Sequence, residues 1–337
     1  MTEQLKLKLN DSKATRWGAL VIVAFTMMAA YYVNDVVAPL KTMLETDLAW
    51  SSTDFGFFTG GYSFLNVFFL MLIWGGLILD RFGIRFTGKL ATILMVGGTA
   101  LEYYAMTGLA GADATLFGIN EIFGYKTGVF VAFAGYSIFG VGAEVAGITV
   151  SKIIAKWFKG KELATAMGVQ VALARIGSQA GYAVAIPLAR AFGISTPVLL
   201  GLVLLLGGMI AFFVFAVMDK KLDKQMEAAA IAAGTEDEEE KFSFKDVKNI
   251  LVNPGFWLIA LLCVLFYSCV FPFQKFASEL MIIKYGINEN VAGTFAGLPA
   301  LGALILTPVF GGFIDKRGKS ASIMLLGSAM LICVHFI

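Results

Sequence analysis

The chain has 337 residues, of which 58% are hydrophobic and 15% charged, with a net charge of +2. A soluble domain carries about 45–50% apolar and about 25% charged residues, and soluble cores stop growing near ~250–300 residues, so this much apolar surface requires lipid. The small net charge gives no support to a nucleic-acid or strongly acidic partner, and Cys263, Cys269 and Cys333, all inside apolar runs, exclude a disulfide framework or metal cluster.

A spanning helix needs ~20 mostly apolar residues. Nine runs qualify, near 17–39, 54–79, 87–109, 127–151, 163–188, 196–218, 254–274, 290–314 and 320–337. Residues 1–16 form a polar head, and the apolar run behind it exceeds a signal-peptide core, so no cleaved leader is expected. In the first helix Tyr31, Asn34, Asp35 and Ala38 make a polar stripe; it reads as cavity lining or, for Tyr31, as an interfacial aromatic anchor. Glu102, late in the third helix, reads as a snorkelling residue near the surface rather than a functional one.

Ionisable groups inside the hydrocarbon are costly and usually face a partner or a wet cavity. Glu144 in the fourth helix and Arg175 in the fifth lie 14 and 17 residues from the turn near 158 that joins them. At 1.5 Å per residue their depths differ by only ~4–5 Å. The spacing predicts a Glu144–Arg175 pair, either facing a cavity or buried between adjacent helices. Arg175, Ser178, Gln179 and Tyr182 share one helical face, as a water-lined path would require. Glycines four apart, Gly177–Gly181 and Gly293–Gly297, fit close helix packing in lipid.

Residues 219–253 read as a soluble linker, with an acidic run at 236–240 and then Phe244, Val247 and Leu251 at helical spacing. That spacing describes either a surface amphipathic helix or a plain tether. In the seventh helix Tyr267, Phe271 and Gln274 share a face. The domain reading is therefore head 1–16, six-helix bundle 17–218, linker 219–253, and the first three helices of a second bundle, 254–337.

Lysine and arginine set the orientation. One side carries twenty: Lys6, Lys8, Lys13 and Arg16; Arg81, Arg85 and Lys89; Lys152, Lys156, Lys159 and Lys161; Lys220, Lys221, Lys224, Lys241, Lys245 and Lys248; Lys316, Arg317 and Lys319. The other side carries five, Lys41, Lys126, Arg190, Lys275 and Lys284. The bias places the N-terminus and linker in the cytoplasm.

An internal repeat runs through the chain. Gly76, Asp80, Arg81, Gly83 and Arg85 close the second helix, and Gly311, Asp315, Lys316, Gly318 and Lys319 close the eighth. An offset of 235 relates Gly76 to Gly311, Asp80 to Asp315 and Gly83 to Gly318, and also Tyr32 to Tyr267 and Thr53 to Asn288. Two parallel repeats are a transporter pattern. An aspartate here can accept from the free N–H groups opening a neighbouring helix, a latch that forms in one access state and releases in the other.

Gly-x-x-x-Asp-Arg-x-Gly-x-Arg is the signature of the major facilitator superfamily, and the chain resembles that family. The resemblance implies twelve helices in two bundles around a cavity, so that nine of twelve are present and the chain is expected to be C-terminally truncated. The block Trp157-Phe-Lys-Gly-Lys-Glu-Leu-Ala164, with Ala174-Arg-Ile-Gly-Ser178, Phe256-Trp-Leu-Ile259, Val270-Phe-Pro-Phe273 and Pro308-Val-Phe-Gly311, is similar to the lysosomal dipeptide uniporter family and its bacterial relatives. It implies dipeptide transport, with Tyr31, Asp35, Glu144, Arg175 and Tyr267 as binding residues and Gly76, Asp80, Arg81, Gly83, Arg85, Asp315 and Gly318 as the gating loops. Neither a cofactor nor a metal nor a catalytic residue is implied, and no protein partner is identified. A dicarboxylate-type organic-anion transporter is the competing reading, then a non-transporting receptor; one histidine and no nucleophile–base set argue against an enzyme. Without an acidic-dileucine signal in the head, a bacterial cytoplasmic membrane is expected, with the lysosomal membrane as the alternative.

Overall fold

The structure, a computed structural model, describes residues 8–111, 114–233, 251–317 and 320–336. Helix α1 (Lys13–Val36) opens at Ser12, whose side chain accepts from the Thr15 N–H, and ends before Pro39 in a short 3-10 turn that leads into α2 (Lys41–Asp47). Helix α3 (Ser52–Phe68) begins at a reciprocal box: Ser51 Oγ accepts from the Asp54 N–H at 3.1 Å, and Asp54 Oδ2 from the Ser51 N–H at 2.8 Å. The cap residue is Ser51.

The second apolar run is not one helix. Leu70 is left-handed, with φ 53°, and α4 (Met71–Thr107) resumes at 58° to α3. Nothing in the residue types at 68–70 demands that break. Within α4, Gly83 has φ 74° and ψ 174°, a region open almost only to glycine. There the second run ends and the third begins.

A two-stranded hairpin, β1 (Glu121–Ile122) and β2 (Tyr125–Lys126), pairs antiparallel before α5 (Thr127–Trp157). Then come α6 (Leu163–Phe192), α7 (Thr196–Ala233), α8 (Pro254–Tyr285), α9 (Glu289–Arg317) and α10 (Ser320–Phe336). Two extents differ from the sequence reading. Helix α7 continues past 218 through what read as linker, and α8 continues past 274, taking Lys275 out of a loop and into a helix. The acidic run, Phe244 and Val247 lie outside the described residues.

Among the described residues five helices are long and apolar enough to cross a membrane, and a sixth if the bent α3–α4 pair counts as one span. Helix α6, with Arg175, Ser178 and Gln179 on it, is not among them. Helix α5 packs on α3 and α4, and α1 on α6 and α7, around a core whose largest buried side chains include Trp157, Tyr136, Phe55, Phe58 and Phe139.

Helix α6 is held on two sides by glycines. A Cβ at Gly177 would strike the Met28 carbonyl, and one at Gly181 would stand 2.8 Å from the Tyr32 carbonyl, so α1 and α6 meet backbone to backbone. On its other side, a Cβ at Gly293 of α9 would strike the Tyr182 carbonyl, and one at Gly297 would lie 2.5 Å from Gln179 Oε1. Such contacts replace hydrophobic driving force within lipid. Gly177→Val is expected to destabilise by ~1–3 kcal/mol or more, because overpacking against backbone cannot relax. Gly76→Ala, with nothing within 4 Å of the added Cβ, should leave the thermal midpoint unchanged; equal shifts for both variants would contradict this packing.

The basic end of the bundle is tied by ions. Lys152 donates to Asp80 at 3.0 Å, so Asp80 holds a lysine of α5 rather than the free N–H groups of a helix start. Arg85 and Lys156 converge on Asp219 and Asp223 of α7, and Trp157 Nε1 donates to Asp219 at 3.0 Å. Arg81 lies over the Phe82 ring, 5.5 Å from its centroid. Of the second gating loop, Gly318 lies outside the described residues and the Asp315 side chain is not described. The head is anchored too: Arg16, Lys13 and Trp17 Nε1 reach Glu162, and Lys161 reaches Asp11.

Those anchors carry a pH signature. The Lys161 hydrogen bond holds Asp11 below its ordinary value of 3.8, and Arg16, then Trp17 and Lys13, hold Glu162 below 4.5. An acid depressed on folding contributes stability that is complete above its unfolded value and is lost as pH falls through the folded one. The thermal midpoint should therefore stay flat from neutral pH to about 5 and drop below that, with part of the drop removed in Asp11→Asn.

Candidate functional site

A cavity of about 540 Å³ lies between α1, α3, α5 and α8. Met27, Ala30, Tyr31 and Asn34 line it from α1, and Thr59, Tyr62 and Ser63 from α3. Ala143, Glu144 and Gly147 come from α5, and Phe271, Pro272, Lys275 and Phe276 from α8. Small residues at 56, 60, 143 and 147 open the space that larger side chains on these helices would fill.

Tyr31 is the centre of the predicted set. The Arg175 guanidinium stands over its ring, 5.9 Å from the centroid, and Glu144, Asp35 and Tyr267 all lie within its electrostatic reach. The expected ion pair is not formed: among the described residues no salt bridge joins Glu144 to Arg175. Glu144 instead accepts from Tyr62 Oη at 2.8 Å, and Arg175 spends its charge on an aromatic face, a contact worth ~0.5–2 kcal/mol. Counting residues places each group along its helix but does not fix the rotation about the axis that would turn the two side chains towards each other.

Tyr267 stacks on Phe271, with ring centroids 5.0 Å apart, and is half exposed. The 235-residue offset pairs it with Tyr32, which is buried and donates to the Pro197 carbonyl at 3.2 Å; it is the neighbour, Tyr31, that lines the cavity. The stripe below Arg175 is not a wet path either. Ser178 and Tyr182 are buried, Tyr182 Oη donates to the Gln274 carbonyl at 3.1 Å, and Gln179 Nε2 to that of Thr294 at 3.4 Å. These polar groups form the seam between α6 and the pair α8–α9.

Lys275 is the residue the sequence reading missed. Its Nζ donates to the Asn34 carbonyl at 2.6 Å and to Tyr136 Oη at 3.2 Å, and lies 3.8 Å from Asp35 Oδ1. The signal was present in the spacing, since Tyr267, Phe271 and Lys275 recur every four residues. It was obscured because the apolar run fades at 274. Lys41, which follows the first apolar run and counts among the five basic residues of the far side, is 3% exposed and gathers Glu45 at 2.8 Å, Ser52 at 2.9 Å and Glu279 at 2.5 Å. Glu102 does not snorkel; it is fully buried.

The end opposite the basic one is closed across the seam. Lys41–Glu279 joins α2 to α8, Arg190 joins α6 to Glu289 and Asn290 of α9, and Phe55 packs edge-on against Phe276. At this end first-bundle helices meet α8 and α9, with a charged cavity behind the closure.

These features define an all-α, multi-pass membrane protein in which two sets of helices face each other over a cavity where Tyr31, Tyr62, Glu144 and Lys275 stand among apolar side chains. The sequence matches the Major Facilitator Superfamily over residues 17–337. The chain belongs to that family. It is 27% identical over 336 residues to the human lysosomal dipeptide transporter MFSD1, covering 96% of this chain and 66% of that protein. The Pongo abelii protein of the same name is 27% identical over 330 residues, covering 94% and 64%, so the chain spans just under two thirds of the length of these relatives. Among solved structures, the partially occluded, inward-open xylose transporter XylE from E. coli superimposes with a TM-score of 0.59 at 16% identity, over 91% of this chain and 74% of that one. A D-xylose–proton symporter gives 0.56 at 16% identity, over 89% and 69%. At that identity the likeness is one of fold.

Proposed function

We propose that this chain belongs to a secondary transporter that carries dipeptides or similar small zwitterions by alternating access. One observation carries the reading: Glu144 lines the cavity beside Tyr31, the Arg175 guanidinium stands over the Tyr31 ring, and among the described residues no salt bridge joins the two charges. A zwitterionic dipeptide brings an ammonium for Glu144 and a carboxylate for the Arg175 fork, whose paired N–H groups match its geometry. Tyr31 borders the same space, and Asp35 and Tyr267, within electrostatic reach of Tyr31, complete the proposed set. The names of the relatives agree with this substrate class.

In this reading the domains are the head 1–16, a six-helix bundle 17–218, a connecting segment 219–253 and the start of a second bundle at 254–337. The basic end faces the cytoplasm, so the closure at Lys41, Glu279, Arg190 and Glu289 is the extracytoplasmic gate. The state described is the one that opens inward. The membrane is a bacterial cytoplasmic one in this reading, with the lysosome, for which the relatives are named, as the alternative; fractionation of the native source decides between them.

The test is counterflow in proteoliposomes. Vesicles preloaded with alanyl-alanine should accumulate labelled alanyl-alanine, and preloading with succinate should not drive it. Succinate exchange without dipeptide exchange would move the assignment to the organic-anion reading, in which Arg175 binds anion and Glu144 is its counter-ion. Flux of neither would leave the receptor reading.

A further inference from the structure

Glu102 belongs to no step described so far. It lies in the second part of α4, fully buried, and neither carboxyl oxygen has a hydrogen-bond partner among the described residues. Helix α5 covers it closely: a Cβ at Gly135 would stand 2.9 Å from the Glu102 backbone nitrogen. The charged and titratable groups that face it are Lys275 from α8 and Tyr136 from α5, and behind them Asp35 from α1. Tyr136 Oη sits within 2.7 Å of the Asn34 carbonyl oxygen and 3.2 Å of Lys275 Nζ.

The cluster holds two acids and one strong base. Lys275 is balanced by Asp35 at 3.8 Å. A second carboxylate, stripped of water and hydrogen bonds, costs several kcal/mol to keep ionised, and among the described residues no second cation faces it. The arrangement is electrically balanced when Glu102 is a neutral acid.

We propose that Glu102 is a proton-binding site whose occupancy is tied to the contact between Lys275 and α1. The inference rests on the alternating-access reading but not on its substrate. Lys275 is carried by α8, so movement of the second bundle takes the ammonium towards or away from Glu102. With Lys275 close and water admitted, the Glu102 O–H bond breaks and the proton passes to water, leaving a carboxylate beside the ammonium. With Lys275 withdrawn, the carboxylate takes a proton back from water. By linkage, whatever moves Lys275 also moves the proton.

Infrared spectroscopy of the full-length protein in lipid tests the first half. Near neutral pH the carbonyl stretch of a neutral carboxylic acid is expected, shifting in heavy water and on carboxyl-13C labelling of glutamate, surviving Glu144→Gln and absent from Glu102→Gln. If Glu102→Gln does not fold, the labelled Glu144→Gln protein gives the same answer, because its remaining described glutamates are paired or exposed. Absence of a glutamic acid band, or its survival in Glu102→Gln, overturns the proposal. Alanyl-alanine counterflow tests the second half: its rate should change about threefold or more between about pH 5.5 and 8, and the Glu102→Gln rate by much less. Equal pH profiles overturn the coupling. No dipeptide flux together with an intact band would defeat the substrate assignment and leave the proton site standing.

Discussion

Arg175→Lys is expected to lower dipeptide counterflow at least tenfold while the protein remains folded, and Glu144→Gln to do the same. Lysine keeps the charge but loses the planar fork and the aromatic stacking. Here Arg175 stands over the Tyr31 ring, so the change removes both its rest position and its paired hydrogen bonds to a carboxylate. A tenfold loss corresponds to about 1.4 kcal/mol, close to the lower end of the ~1.5–3 kcal/mol of a hydrogen bond to a charged group. Glu144→Gln keeps an acceptor for Tyr62 Oη, which sits 2.8 Å away, and removes only the charge that a substrate ammonium would meet. Uptake unchanged in both variants, with unchanged thermal midpoints, would remove these residues from the site.

Glu279→Gln is expected to open the extracytoplasmic side. Lys41 is 3% exposed, and its ammonium is shared among Glu45, Ser52 and Glu279. Stranding a buried charge costs ~3–5 kcal/mol; Lys41 keeps Glu45 and Ser52, so losing the Glu279 charge costs less, about the ~1.5–3 kcal/mol of a hydrogen bond to a charged group. The cost falls on the closed state alone, since Glu279 comes from α8 and Lys41 from the first bundle. At 1.4 kcal/mol per decade, an equilibrium shift of about tenfold or more follows. Ser278 reports it, being 1% exposed in the closed state. In a protein freed of Cys263, Cys269 and Cys333, a Ser278→Cys thiol should be nearly inert to an impermeant reagent from outside. Adding Glu279→Gln should make it reactive; equal labelling rates would show that the pair does not hold the gate.

Much of the architecture was legible because lipid imposes a simple rule: backbone groups must be satisfied within a helix, so apolar length reports the spans. The break at Leu70 escaped notice because Phe68-Phe69-Leu70 carries neither proline nor glycine. Gly83 was marked by its motif, and its φ of 74° supplies the reason for the residue. Of the residues proposed for the site from the sequence, Tyr31 and Glu144 line the cavity and Arg175 stands over the Tyr31 ring, but the predicted Glu144–Arg175 pair is not formed among the described residues. Depth along a helix follows from counting residues, whereas rotation about its axis depends on packing, here on Gly177 and Gly181 fixing α6 against α1. Lys275, Lys41 and Glu102 were misplaced for one reason. Each is a charge near the end of an apolar run, where sequence alone assigns it to water, and tertiary contacts bury it instead.

The claim on which the functional account stands is that the Tyr31–Glu144 cavity is a substrate site open to the cytoplasm while Lys41 and Glu279 close the far side. Thiol labelling of Ser63→Cys, a cavity-lining position, in the cysteine-free background tests it most directly. The account predicts labelling by an impermeant reagent from the cytoplasmic face, weak labelling from the other face, and protection by alanyl-alanine. Labelling chiefly from the far face, or at a rate indifferent to every dipeptide and organic anion tried, would contradict it.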